Sequence, residues 1–129
     1  QRYGANFNND NAENAAEDRS DNKGPEPEAI TVGKINGYTY AFIGLERMGG
    51  IMVYNVSNPN NPSFVEYINN RDIFADQASI EGGIAGDFGP EGFQFVDAQN
   101  SPTGKSMLIV CSEVTGTTTF YNIEVNQLD

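Results

Sequence analysis

Glu46-Arg-Met-Gly-Gly-Ile-Met-Val-Tyr-Asn-Val56 returns further along as Glu113-Val-Thr-Gly-Thr-Thr-Thr-Phe-Tyr-Asn-Ile123. Both copies read Glu-x-x-Gly-x-x-x-x-Tyr-Asn-[Val/Ile] without a gap. Upstream of each lies an apolar run, and upstream of that a Pro-Glu pair, Pro27-Glu28 and Pro90-Glu91. The offset between copies is 63 residues at the Pro-Glu pair and 67 at the second glutamate. The four extra residues fall in a turn, where insertions cost least. One structural unit is written twice, and repeats of this kind mark propellers and solenoids.

The pattern inside each copy is that of antiparallel strands. Glu28 to Gly33 reads as a strand, Asn36-Gly37 as a two-residue hairpin turn, and Tyr38 to Glu46 as a second strand. Gly49-Gly50 turns the chain into Ile51 to Val56, and the Asn58 to Pro62 cluster turns it into Ser63 to Ile68. Residues 69 to 89 are an irregular excursion. Gly92 to Ala98, Ser106 to Glu113 and Thr117 to Ile123 then repeat the first three strands. The expected fold is all-β: two antiparallel meander sheets resembling two blades of a β-propeller, the second without its fourth strand. Blade one covers 25–68 and blade two 90–124, within a unit of 25–129. Residues 1–24 are rich in Asn and acidic residues, with Tyr3 and Phe7 as the sole anchors, and read as loop or partly disordered chain.

Ala41-Phe-Ile-Gly-Leu45 and Met107-Leu-Ile-Val-Cys111 are nearly continuous in apolar residues, which predicts cover on both faces and a buried thiol at Cys111. Two blades cannot close a ring and leave two bare sides. The expected partners are therefore further propeller blades, from a parent chain or from other copies.

Among 129 residues, 18 are acidic and 7 basic, for a net charge of −11, and none is histidine. Such a chain is repelled by nucleic acid and by anionic membranes, and hard divalent cations are its natural counter-charge, calcium first. Without histidine there is no catalytic triad and no ordinary zinc site. One cysteine allows no internal disulfide. No signal peptide or membrane span is evident, and the polar opening at Gln1 suits a trimmed precursor.

Four glutamates occupy equivalent places: Glu28 and Glu91 ahead of the first strands, Glu46 and Glu113 at the end of the second. A carboxylate closing an apolar strand is costly unless paired or coordinated. Three roles fit: metal coordination, with calcium as the ion; hydrogen bonding to turn amides; and acid–base chemistry. No clear nucleophile accompanies them, since Ser112 and Thr115 beside Glu113 are common at strand ends. Asn6, Asn8, Asn9, Asp10, Asn11 and Asn14 form an oxygen-rich stretch without EF-hand order. Residues 18 to 28 read either as a ligand-holding loop or as a solvated linker stiffened by prolines. Arg47 and Arg71 could hold a phosphate or neutralise a carboxylate. Asn55-Val-Ser57 is a glycosylation sequon inside a strand.

Arg19-Ser-Asp-Asn-Lys-Gly-Pro-Glu-Pro-Glu28, Tyr40 to Tyr54, Gly89-Pro-Glu-Gly92, Ser101-Pro-Thr-Gly-Lys105 and Glu113-Val-Thr-Gly-Thr-Thr118 together resemble the choice-of-anchor I domain over roughly residues 18 to 124. That family includes secreted bacterial proteins, some labelled alkaline phosphatases, and mesenchyme-specific cell-surface glycoproteins of biomineralising animals. The resemblance is to the C-terminal portion of its longer members. It implies a β-propeller, an extracellular or cell-surface location, and a role around calcium or phosphate. Glu28, Glu46, Glu91 and Glu113 sit on the matching motifs and become candidate metal ligands. The expected function is an extracellular calcium-binding structural or interaction module. The alternatives are part of a metal-dependent phosphoesterase and a self-assembling ring or filament subunit.

Overall fold

The computed structural model describes residues 7–10 and 15–126. Tyr3, Asn6, Asn11 and Asn14 lie outside the described residues. Seven strands form two antiparallel sheets. The first sheet takes β1 (Pro27–Ile35), β2 (Tyr38–Leu45), β3 (Ile51–Asn55) and β4 (Ser63–Ile68), side by side in chain order. A short helix, α1 (Gln77–Glu81), interrupts the excursion, capped by Asp76, whose carboxylate accepts from the Ser79 amide. The second sheet takes β5 (Pro90–Val96), β6 (Met107–Ser112) and β7 (Thr117–Asn122). Among the described residues this sheet has three strands, as the sequence predicts.

The turns form for local reasons. Asn36 and Gly37 both take left-handed backbone, with φ of 49° and 87°, as a two-residue hairpin with right-handed strand twist requires. Asn58 closes the β3–β4 turn, its carbonyl accepting from the Asn61 amide at 3.0 Å. Asp97 closes the β5–β6 loop by accepting from the amides of Gln99 and Asn100.

The duplication holds at the level of single hydrogen bonds. The ladder shifts between Pro27 and Ala29 in β1 and between Pro90 and Gly92 in β5, so Glu28 and Glu91 are the bulged residues of equivalent bulges. The Glu46 amide donates to the Glu26 carbonyl at 2.8 Å, and the Glu113 amide donates to the Gly89 carbonyl at 2.8 Å. Val56 reaches Thr39 as Ile123 reaches Ser106.

The two sheets pack face to face. Ile35, Phe42 and Ile51 of the first meet Leu108 and Val110 of the second. Phe42 stacks on Phe95 with ring centroids 5.9 Å apart. Burying such a side chain contributes roughly 1.5–3 kcal/mol. Gly33 lets β1 lie close to β5, because a Cβ there would fall 2.4 Å from the Phe95 ring.

The outer face of each sheet is covered only in part. Ile30 and Val32 on the outer face of the first sheet are 65% and 55% exposed, and Phe120 on the outer face of the second is 60% exposed. The expectation of double cover holds in part for β2, where the consecutive Ala41 and Phe42 are both buried, and fails toward the end of β6. In β6, Leu108 and Val110 face the partner sheet, whereas Cys111 falls on the opposite side and is exposed, not buried. Its sulfur lies 3.8 Å from the Thr118 hydroxyl.

Residues 8 to 10 pack into the fold, which their composition does not suggest. Asn8 and Asn9 are buried, and Arg71, 4% exposed, donates to the Asp10 carbonyl at 2.6 Å. The same guanidinium donates to the Arg47 carbonyl at 2.9 Å and lies over the Phe88 ring, 4.3 Å from its centroid. Burial lowers the Arg71 pKa to about 10. The excursion is pinned as well. Asp87 accepts from the hydroxyls of Thr117 and Thr119 and from the Asn70 amide. Burial works to raise its pKa, but these donors outweigh it and leave the carboxyl below its ordinary value.

Candidate metal centre

The strand ends bring carboxylates together. β1 begins after Glu26, and the backbone there is left-handed, with φ of 48°, where the second unit has Gly89 at 71°. A left-handed non-glycine residue is held only when its surroundings over-determine it. For Glu26 they do. Arg47 Nε donates to its Oε2 at 2.6 Å, and Arg19 Nη2 and Lys23 Nζ lie 3.2 and 3.4 Å from its Oε1. The bond from Arg47 is the main reason its pKa falls from 4.5 to about 2.

Carboxylate oxygens of Glu26, Glu28 and Glu46 lie within 4.8 Å of one another. Glu46 follows β2 directly and is 5% exposed. Burial first, then its hydrogen bond to Glu26, raises its pKa from 4.5 to about 7, against the pull of Arg47. The bond is readable as a protonated Glu46 donating to an ionised Glu26. Arg47 Nη2 stands 3.4 Å from Glu46 Oε1. Glu28 is exposed and opens the group to solvent.

The second unit places Glu91 and Glu113 together. The charge of Glu113 is the main reason the Glu91 pKa is raised, and the charge of Glu28 adds to it. The charge of Glu28 also acts on Glu46. All four glutamates singled out from the sequence thus share one end of the sheet pair, with Glu28 felt by both halves. Glu91 and Glu113 line a shallow recess with Ser112, Thr117 and Thr118.

Residues 1–59 match the model of the choice-of-anchor I domain. This stretch is similar to the choice-of-anchor I domain. It carries the first blade's strands β1 to β3 together with Glu26, Glu28 and Glu46, and is narrower than the 18–124 span of the motif resemblance. Gigasin-3a of Magallana gigas is 27% identical over 116 residues, which are 88% of this chain and 41% of that protein. The chain therefore spans about two-fifths of the curated relative's length. No solved structure matches.

Glu26 is the residue that the sequence alone does not single out in the segment similar to the choice-of-anchor I domain. Its signal is alignment of the repeat, because Glu26-Pro-Glu28 stands where the second unit has Gly89-Pro-Glu91. Of the two expected roles, Arg47 takes that of neutralising a carboxylate, and Arg71 takes neither. Arg47 neutralises Glu26 and Glu46, and Arg71 is turned inward to backbone carbonyls. The sequon is absorbed into a turn: Asn55 Oδ1 accepts from the Ser57 amide, and Ser57 Oγ accepts from the Thr39 amide.

Proposed function

We propose that this chain is part of an extracellular, cell-surface or secreted propeller-like module that binds calcium and serves a structural or binding role. The juxtaposition of Glu26, Glu28 and Glu46, each with an oxygen within 4.8 Å of the others, carries the proposal. Glu26 is already neutralised by Arg19, Lys23 and Arg47. That leaves Glu28 and Glu46 as the ligands for an ion, with Glu91 and Glu113 as a second carboxylate pair at the same end. Burial and the bond to Glu26 raise the Glu46 pKa, and the charge of Glu113 raises that of Glu91; a hard divalent ion would hold both ionised. The choice-of-anchor I match and the Gigasin-3a relative support a secreted setting. The two bare sheet faces support a place beside further blades.

The phosphoesterase reading needs a guanidinium free to meet a phosphate beside the carboxylates. Arg47 and Arg71 are both engaged within the protein. The binding reading is therefore preferred.

Calorimetric titration with calcium at pH 8 tests it. Saturable binding is expected, with a rise in melting temperature equivalent to about 2.7 kcal/mol at a hundredfold excess over Kd. No heat and no shift at millimolar calcium would remove the reading.

A further inference from the structure

We propose that Asn55 is the attachment site of an N-linked glycan. Asn55-Val56-Ser57 meets the acceptor pattern Asn-x-Ser, in which the middle residue is anything but proline. No other asparagine in the chain does so. Asn61-Pro62-Ser63 comes nearest and is barred by its proline. The inference rests on the extracellular reading above, because the sugar donor is met on the export route.

The structure separates the atom of Asn55 that the fold uses from the atom it leaves. Asn55 is the last residue of β3. Its Oδ1 accepts from the Ser57 amide at 2.9 Å, and Ser57 Oγ accepts from the Thr39 amide at 2.9 Å. The Val56 amide donates to the Thr39 carbonyl at 2.9 Å, so the sequon is held along β2 from both sides of its backbone. The oxygen of the Asn55 amide is thus committed to the turn. The nitrogen is not. Among the described residues Asn55 Nδ2 has no hydrogen-bond partner, and it is not one of the buried polar atoms left without one, so it reaches solvent. Replacing one of its two hydrogens by a sugar breaks no contact of the fold.

The internal repeat supplies a control. Asn122 stands where Asn55 stands, and its Oδ1 also serves as an acceptor, from Thr103 Oγ1 at 2.8 Å. Both units therefore use this asparagine through oxygen. Two residues on, the second unit has Glu124 where the first has Ser57. The repeat accounts for the asparagine but not for the hydroxyl that completes the acceptor.

The surroundings suit a bulky, hydrated group. Ser57 to Ser63 are all exposed. Asn55 to Ser63 carry no charged side chain, in a protein of net charge −11. Asn55 pairs with Tyr40 near the start of β2, whereas Glu28 and Glu46 stand at the opposite end of the first sheet. A glycan there leaves the carboxylates open. The donor is an oligosaccharide joined through pyrophosphate to a lipid. Asn55 Nδ2 bonds to the anomeric carbon of the first sugar, the bond from that carbon to the pyrophosphate oxygen breaks, and the amide gives up one proton as the lipid pyrophosphate leaves.

Mass spectrometry of the native protein, and of the full chain secreted by eukaryotic cells behind a secretion leader, tests this. Each should carry one oligosaccharide, released by peptide N-glycosidase with the conversion Asn55→Asp. The Asn55→Gln and Ser57→Ala chains should show complete loss of that mass, and Ser57→Thr should keep it. An exported chain of unmodified mass, or a sugar that persists in Asn55→Gln, overturns the inference. The two readings fail separately: a native chain held inside the cell fails the extracellular reading and this inference with it, whereas export without sugar overturns this inference alone.

Discussion

Glu46→Gln is expected to abolish calcium binding while making the metal-free protein more stable at pH 8. Both effects follow from one carboxyl. The Glu46 pKa is raised in the fold from 4.5 to about 7, so between those values the folded state holds a proton that the unfolded chain has lost. Its stabilising effect is full below pH 4.5 and is lost as the pH rises through 7. Above that, an ionised Glu46 stands against Glu26 and Glu28. Glutamine keeps a donor toward Glu26 and never ionises. At pH 8 the gain should be roughly 1–2 kcal/mol, discounted because the group opens to solvent at Glu28. Glu26 has the opposite sign. Its pKa is lowered to about 2, so its contribution is full above pH 4.5 and is lost as the pH falls toward 2. Stability of the metal-free protein should therefore peak near pH 4.5–5, decline toward pH 8, and regain the loss when calcium is added. Calcium must displace the Glu46 proton, so affinity should fall about tenfold per pH unit below 7. Urea melts of both proteins across this range, with and without calcium, measure all of it. A variant that binds calcium like the parent would rule out Glu46 as a ligand.

Arg71→Ala should cost about 3–5 kcal/mol, the largest loss expected from one side chain here. The guanidinium is buried and ties three parts of the chain together: the N-terminal segment through the Asp10 carbonyl, the turn after β2 through the Arg47 carbonyl, and the excursion through the Phe88 ring. Alanine leaves buried carbonyls short of a donor and opens a cavity beside Phe88. Arg71→Lys should recover only part of the loss, because one ammonium cannot span both carbonyls and stack as the planar fork does. Denaturant unfolding gives the magnitude, and limited proteolysis should show residues 7–26 released first. A loss below about 1 kcal/mol would mean that the segment is held by other contacts.

Much of the sheet architecture is legible in the chain because its determinants are local. Asn36-Gly37 can hardly be anything but a tight hairpin turn, and the doubled Tyr-Asn motif fixes where β3 and β7 end. Ser63 to Ile68 is read to its limits because Pro62 and Asn69 bracket it. Each of the features missed has a distant determinant. The order of the N-terminal segment rests on a bond between Arg71 and Asp10, 61 residues apart. Asparagine-rich composition carries no sign of it. The apolar neighbours of Cys111 suggest an inside position, but strand alternation puts it on the side of β6 away from the first sheet, where it is exposed. Glu28, Glu46, Glu91 and Glu113 were visible because the repeat presents them twice. Glu26 was hidden because the repeat presents it once, opposite a glycine.

The same contrast bears on the site. Two units with matching hydrogen bonds offer unequal carboxylate groups: three close glutamates compensated by two arginines and a lysine in one, an exposed pair in the other. On the proposed reading the first unit would be the better cation site, because its three carboxylate groups converge within 4.8 Å. The second unit has no counterpart of Glu26 to orient its pair.

Anomalous diffraction from crystals grown in calcium at pH 8 tests this directly. A peak is expected within about 2.3–2.6 Å of carboxylate oxygens from Glu28 and Glu46. An ion bound elsewhere, with those two carboxylates holding only protein partners, would contradict it.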